Sequence, residues 1–368
     1  MKTVYLVSEA LRSENEMPPF SKYDWTDEIK KIKESNADII LILSEMELEA
    51  AHFMYDPLIA KLRPWLQSNN KKIEFILPGI TGNQSDVVNY HHIPTFIYFT
   101  YQQYNQLRAK RDLFNRSNLR YNEGEHFNQL DKLYTCYNNN PKPERALLVD
   151  ELAKNNLLNT GIVTFIHPED VFINGSKYKW KYHNGRRLFD EIDFKLNSKE
   201  IYSAPHLPKS FFRGFLDIVC ESEYKDNHFF LTEKTLKSLA VLKPFITFAS
   251  RGHNKNFLVK KYGFKLYDEY FDYSWDDSPL EDRIQGIVNN ILRLKSDVEQ
   301  KKFTLQDLYR ELLPKMFYNQ YRVLEIYYDK TFIPEFIKDI ENIDFVNNKR
   351  IAHESIFIGY IKWIMGKE

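Results

Sequence analysis

Phe215-Leu216-Asp217-Ile218-Val219-Cys220 is followed by Thr232-Glu233-Lys234-Thr235-Leu236-Lys237-Ser238-Leu239-Ala240-Val241-Leu242 and then by Pro244-Phe245-Ile246-Thr247-Phe248. The first and last runs are short, apolar and rich in β-formers. The middle one puts Leu236, Leu239 and Ala240 at i, i+3 and i+4 behind Thr232, an N-cap residue type. Strand, helix and strand at this spacing imply parallel strands joined by a helical crossover, so the chain is an α/β protein.

The same rhythm extends in both directions. Downstream, residues 254–262 read as a helix stopped by Gly263, 264–267 as a strand, and 281–294 and 305–328 as helices, the last broken or kinked at Pro314. Upstream, 133–137 read as a strand, Asn138-Asn139-Asn140-Pro141-Lys142-Pro143 as an extended loop, and 145–155 as a helix with Leu147, Leu148 and Leu152 on one face. The N-terminal third alternates strands at 4–7, 39–43 and 73–77 with helices at 27–35 and 57–68. Residues 98–120 read as a helix or long connection, and 173–198, with Asn174-Gly175 and Asn184-Gly185 turns, as an irregular, hairpin-like insertion. At roughly 150 residues per domain, 368 residues accommodate two lobes. The expected division is 1–130, then 131–328, then an apolar tail at 329–368 packing back on the core.

Composition removes several function classes. Lys plus Arg and Asp plus Glu each total 51, so no net field draws the protein onto polyanions. Glycine, 12 in 368, stands at less than half its usual share of about 7%. Neither G-x-G-x-x-G nor G-x-x-x-x-G-K-[ST] occurs, which argues against a dinucleotide oxidoreductase and a P-loop NTPase. Any phosphate must then be held by side chains and helix ends. Cys136 and Cys220 are too few for a disulfide scaffold or a Cys-rich zinc site and sit in apolar runs, so buried free thiols are expected. The N-terminal run has no signal-like apolar stretch and no run is long enough to span a bilayer, so a cytoplasmic protein is expected.

Lys234 falls in the first turn of its helix, where the macrodipole is already positive; an anion such as phosphate beside it accounts for the placement better than solvent alone. Arg145 opens the helix after the Asn-Pro loop in the same way. Two such cations at the carboxyl edge of one sheet would clamp a diphosphate, the arginine as a fork and the lysine as a point charge.

Cys220-Glu221-Ser222-Glu223, Phe230-Leu231-Thr232-Glu233-Lys234 and Pro244-Phe245-Ile246 together resemble the donor-binding motif of the α-1,3-fucosyltransferases, family 10-like. Asn140-Pro141 with Arg145 beyond it resembles the segment that opens that family's nucleotide-binding lobe. Residues 136–152 also resemble glycosyltransferase-like proteins of large DNA viruses and phages, which suggests a viral source and a host-cytoplasm location. The resemblance implies a GT-B-like fold of two Rossmann-like lobes facing across a cleft. It also implies an inverting, metal-independent glycosyltransferase with a GDP-fucose-like donor as co-substrate and no other cofactor. Carried over, Asn140, Arg145, Glu221, Thr232, Glu233 and Lys234 would line the donor site, with Arg145 and Lys234 on the pyrophosphate. Glu233 would stabilise charge developing at the anomeric carbon. Ser222 stands where the family has Asn, and Glu223 where it has a small hydroxyl residue.

An inverting transferase needs a base near the acceptor hydroxyl. Glu9, at the end of the first strand, is the expected catalytic base, with Glu45 and the pair His91-His92 as rivals and turn chemistry as the plain reading of the pair. Arg251, after the strand at 244–248, is expected to line the phosphate site, and Arg213 to be structural. Glu191-Ile192-Asp193 has the [DE]-x-D form used for Mn²⁺ elsewhere but lies in the irregular segment, so no metal site is expected. The aromatic groups at 267–273 and 317–328 are read as packing. The expected partners are a nucleotide sugar and a glycan or other hydroxyl acceptor, with nucleic acid disfavoured by the charge balance. The alternatives are a phage-type glycosyltransferase acting on DNA bases, and a non-catalytic carbohydrate-binding or structural protein that kept the fold.

Overall fold

The structure, a computed structural model, describes residues 2–8, 24–44, 48–94, 130–138, 142–165, 171–173, 176–178, 209–240, 242–338 and 343–346. The chain divides into two compact units. The first is Met1–Tyr98, Asp226–Leu231 and Tyr328–Glu368; the second is Phe99–Lys225 and Thr232–Tyr327.

The first unit is built on β1 (Lys2–Ser8), α1 (Thr26–Glu34), β2 (Ile39–Leu43), α2 (Leu48–Ser68), β3 (Ile73–Leu77) and β4 (Val88–His92). A strand from the far C-terminal region, Ile343–Phe345, completes a five-stranded sheet by lying on the free side of β1. Every pairing is parallel. Ile40, Leu41, Ile42 and Leu43 are all buried, the continuous apolar pattern of a strand covered on both faces. Leu48, Ala51, Tyr55, Leu58, Leu62 and Leu66 form the buried stripe of α2 against this sheet.

Helix α2 starts at Leu48, well before the expected start at 57, and carries Pro57 and Pro64 inside it. The apolar stripe begins two turns before Pro57, and its burial outweighs the hydrogen bonds lost at the two prolines. His91 and His92 belong to strand β4 rather than to a turn. Phe229 and Ile80 exchange both backbone hydrogen bonds, each 2.8 Å, and Phe230 is fully buried in this unit's core. A Cβ on Gly79 would stand 2.5 Å from the Phe229 carbonyl oxygen, so this close approach depends on glycine.

The second unit contains β5 (Lys132–Asn138), α3 (Pro143–Lys154), β6 (Gly161–Phe165), the antiparallel pair β7 (Val171–Ile173) and β8 (Ser176–Tyr178), β9 (Gly214–Cys220), α4 (Glu233–Ala240) and β10 (Phe245–Phe248). Helices α5 (Leu280–Glu299) and α6 (Leu305–Tyr328) follow. Its main sheet has the order β10-β9-β5-β6, again all parallel. Cys136 and Cys220 are free and buried, with their sulfurs 3.8 Å apart.

Three expectations change here. Residues 253–261 form a π-helix entered through Gly252, whose φ of 77° is left-handed. Residues 264–267 are not a strand; Asn319 instead holds both backbone polar groups of Lys265, accepting at 2.7 Å and donating at 2.9 Å. Helix α6 runs through Pro314 unbroken because Leu308, Leu312 and Met316 bury one continuous face across it. Among the described residues, no helix is long and apolar enough to cross a membrane.

Candidate functional site

In the second unit, β6 and β9 lie on opposite sides of β5, so the winding direction reverses between β5 and β9. Open α/β sheets bind ligands outside the carboxyl ends of such a strand pair. Here those ends are Asn138 and Cys220.

The residues after β9 form a tightly bonded corner. Glu221 is fully buried; its carboxylate accepts from the Thr232 hydroxyl at 2.5 Å, the Thr232 amide at 3.3 Å and the Thr235 hydroxyl at 2.5 Å. It thereby ties the start of α4 to the end of β9, an acidic group at the positive end of a helix. Arg145, only 3% exposed, donates to the carbonyls of Cys220 (3.2 Å) and Glu221 (2.9 Å) and to the Tyr224 hydroxyl (3.2 Å). Burial disfavours its charge, yet Tyr224, Cys220 and Glu221 outweigh that and hold its pKa above the usual arginine value. Burial pushes the Tyr224 phenol well up, so it stays neutral. The Lys142 ammonium donates to the Ser222 carbonyl at 2.5 Å, a second brace on the same loop.

Lys234 is half-buried, with its amide 3.2 Å and its ammonium 3.4 Å from the Thr232 hydroxyl oxygen. Glu233 is the first residue of α4. Arg145, Glu221, Thr232 and Lys234 are thus gathered at one sheet edge, whereas Asn140 and Glu9 lie outside the described residues, as do Glu45 and the 191–193 motif. The first turn of α3 has no side-chain cap among the described residues, which leaves its amides facing the same edge.

Arg251 is exposed in the loop after β10. The helix that follows already has an internal anion: Asp276 accepts from the amides of Asn254 (3.1 Å) and Lys255 (2.8 Å). Arg213 forms a two-pronged pair with Asp131, at 3.0 and 2.6 Å, ahead of β9 at the opposite edge.

The first unit's carboxyl edge holds a group the sequence reading passed over. His52, in the second turn of α2, has Nδ1 3.2 Å from Asp56 Oδ1 and Nε2 3.0 Å from the hydroxyl of Thr81, which follows β3. The i, i+4 spacing of His52 and Asp56 was the available signal, hidden by starting the helix at residue 57. His91, one of the rival bases, is engaged by Glu74 at 2.5 Å.

No protein-family profile matches the chain, and no curated protein or solved structure gives a significant match.

Proposed function

We propose that the chain is a glycosyltransferase that moves a sugar from a nucleoside-diphosphate donor to a hydroxyl acceptor with inversion at the anomeric carbon. The supporting observation is the gathering of Arg145, Glu221, Thr232 and Lys234 at the carboxyl edge of the second unit's sheet, beside the strand pair where its winding reverses. In this reading the diphosphate meets the uncapped first turn of α3 and the Lys234 ammonium. Arg145 fixes the loop that carries Glu221, and Glu221 fixes the start of α4. Donor charge is then met by groups already in place, which is the economical way to neutralise a departing diphosphate. Glu233 is the residue proposed to face the donor sugar. The acceptor is assigned to the first unit, and the donor is GDP-fucose-like in the narrowest form of the proposal.

A thermal-shift screen against GDP-, UDP- and CDP-sugars and CMP-sugars tests this, because a true donor stabilises the fold by mass action. The donor is expected to raise the melting temperature of the wild type and to lose that effect in Lys234→Ala. No shift with any nucleotide sugar removes the proposal.

A further inference from the structure

The zero net charge of the chain conceals a segregation of charge along it. From Lys234 to Lys265 the sequence carries eight lysines and arginines and no acidic residue, a run bounded by Glu233 and Asp268. Its last part, the π-helix at 253–261 and the segment after it, meets α6 within the second unit. Asn319 of α6 holds the backbone of Lys265 at 2.7 and 2.9 Å, and the Arg322 guanidinium donates to the Tyr262 carbonyl at 2.6 Å. A Cβ on Gly263, whose φ of 76° is left-handed, would stand 3.1 Å from Arg322 Nε, so glycine permits this approach.

Lys260, Lys261 and Lys265 are exposed on this face. Lys260 Nζ meets a neutral group, the Asn256 side-chain oxygen at 2.7 Å, and Lys265 Nζ lies 4.1 Å from the centroid of the Tyr318 ring. Acids of the same region are engaged elsewhere: Asp268 and Glu269 both pair with Lys315, and Glu325 pairs with Arg322. Among the described residues, Lys260 and Lys265 therefore have no carboxylate partner. Beside them Tyr318 and Tyr321, neighbours at i, i+3 on α6, are 39% and 62% exposed, the second the highest value for an aromatic ring among the described residues.

Cations hold phosphates, and an exposed ring offers its face to a base. A duplex keeps its base faces stacked, so lysines interleaved with exposed tyrosines suit a single strand. An acidic peptide would use the charge and leave the rings in solvent. An anionic bilayer would press its headgroups against Asp268, Glu269 and Glu325. We infer that this face binds single-stranded nucleic acid, with Lys260, Lys261 and Lys265 on phosphates and Tyr321 stacking a base. The inference goes beyond the glycosyltransferase reading and does not rest on it, since none of these residues belongs to the cluster around Glu221.

The test is fluorescence anisotropy of the full chain, without nucleotide sugar, on labelled oligothymidylate, oligouridylate and a DNA duplex of equal length, with phosphatidylserine vesicles in a parallel sedimentation assay. Both single strands are expected to bind, and to weaken with salt along a log–log slope of about −2, three lysines contributing about 0.7 each. The triple variant Lys260→Gln, Lys261→Gln, Lys265→Gln, at three exposed sites, should flatten that slope. Tyr321→Ala should weaken binding about tenfold, and Tyr321→Phe should keep it. No binding of either strand by the wild type at low salt overturns the inference. So does duplex binding as tight as single-strand binding, or Tyr321→Ala binding within twofold of the wild type. Capture by vesicles without binding of oligonucleotides gives the face to a membrane surface and overturns the inference too. None of these outcomes changes the nucleotide-sugar screen, so the two readings stand or fall separately.

Discussion

The two sheets are both parallel, yet their interiors are chemically different. In the first unit the buried strand residues are almost wholly apolar, with Val4 to Val7, Ile40 to Leu43 and Phe75 to Leu77 forming the layer. In the second, β9 carries a buried carboxylate in mid-strand: Asp217 accepts from Thr135 at 2.7 Å and Ser238 at 2.5 Å. Lys243, 5% exposed, donates to the Phe211 carbonyl and stands 4.0 Å from the Phe211 ring centroid. A hydrophobic layer tolerates any repacking that conserves volume. A polar network inside a sheet holds only while every member keeps its partner.

The largest effect is expected from Asp217→Ala, which leaves the Thr135 and Ser238 hydroxyls without their acceptor and the buried Lys243 ammonium without the nearby carboxylate charge. It should cost about 3–5 kcal/mol, the range for breaking a buried charged set. Ile42→Ala in the first unit should cost about 2–5 kcal/mol as a cavity, and unlike the Asp217 change it should be largely repaired by a bulkier apolar residue. Urea unfolding followed by hydrogen exchange of peptides from β9 and β2 measures both. Equal rescue of both sites by leucine would erase the contrast.

The next effect is a pH dependence that carries two opposing signs within the second unit and a single one at Glu74 in the first. Burial pushes Lys243 down to about 7, against an ordinary value of 10.5. Between those values the unfolded chain holds a proton that the folded chain lacks, so stability rises with pH, at up to about 1.4 kcal/mol per unit. Burial raises Asp217, so its contribution is present in acid and is lost as pH climbs through its folded value. In the first unit burial pushes Glu74 up, but hydrogen bonds from His91 and Asn89 outweigh it and hold the pKa below the usual 4.5. That contribution is full above 4.5 and is lost as pH falls through the folded value. Lys243→Met is expected to flatten the rise above pH 7 while leaving the acid behaviour of the Glu74 region intact. A rise that survives in Lys243→Met would assign it to another group.

The smallest effect belongs to the surface. Arg213 and Asp131 make a two-pronged pair that holds the Asp131 carboxyl below its usual range through the Arg213 hydrogen bond. Both side chains are about half exposed, so Arg213→Ala should cost under about 1 kcal/mol. A loss as large as that of Asp217→Ala would place Arg213 among the structural anchors.

Much of the architecture was legible because it follows from local pattern. The runs at 39–43 and 73–77 are apolar enough to be strands in any context, and they are strands with those bounds. Helix limits were less legible: Pro57 read as a helix start and Pro314 as a break, and burial of a continuous apolar face overrides both. The return of Ile343–Phe345 to β1 had no local signature, because a three-residue edge strand is defined by its partner. The cluster around Glu221 was half legible. Its residue types were in plain view, but a carboxylate accepting from Thr232 and Thr235 at a helix start, and an arginine aimed at backbone carbonyls, are matters of direction that spacing does not carry.

The sequence by itself determined the class, parallel α/β layers from alternating short apolar runs and helical stripes, because burial periodicity is written residue by residue. It also determined which cations and acids stand near strand ends. Only the tertiary structure decided the strand order that puts the winding reversal between β5 and β9, and the crossing that buries Phe230 in the first unit. It alone paired His52 with both Asp56 and Thr81. Those outcomes depend on contacts between residues far apart in the chain, whose energies exist only once the chain has folded back on itself.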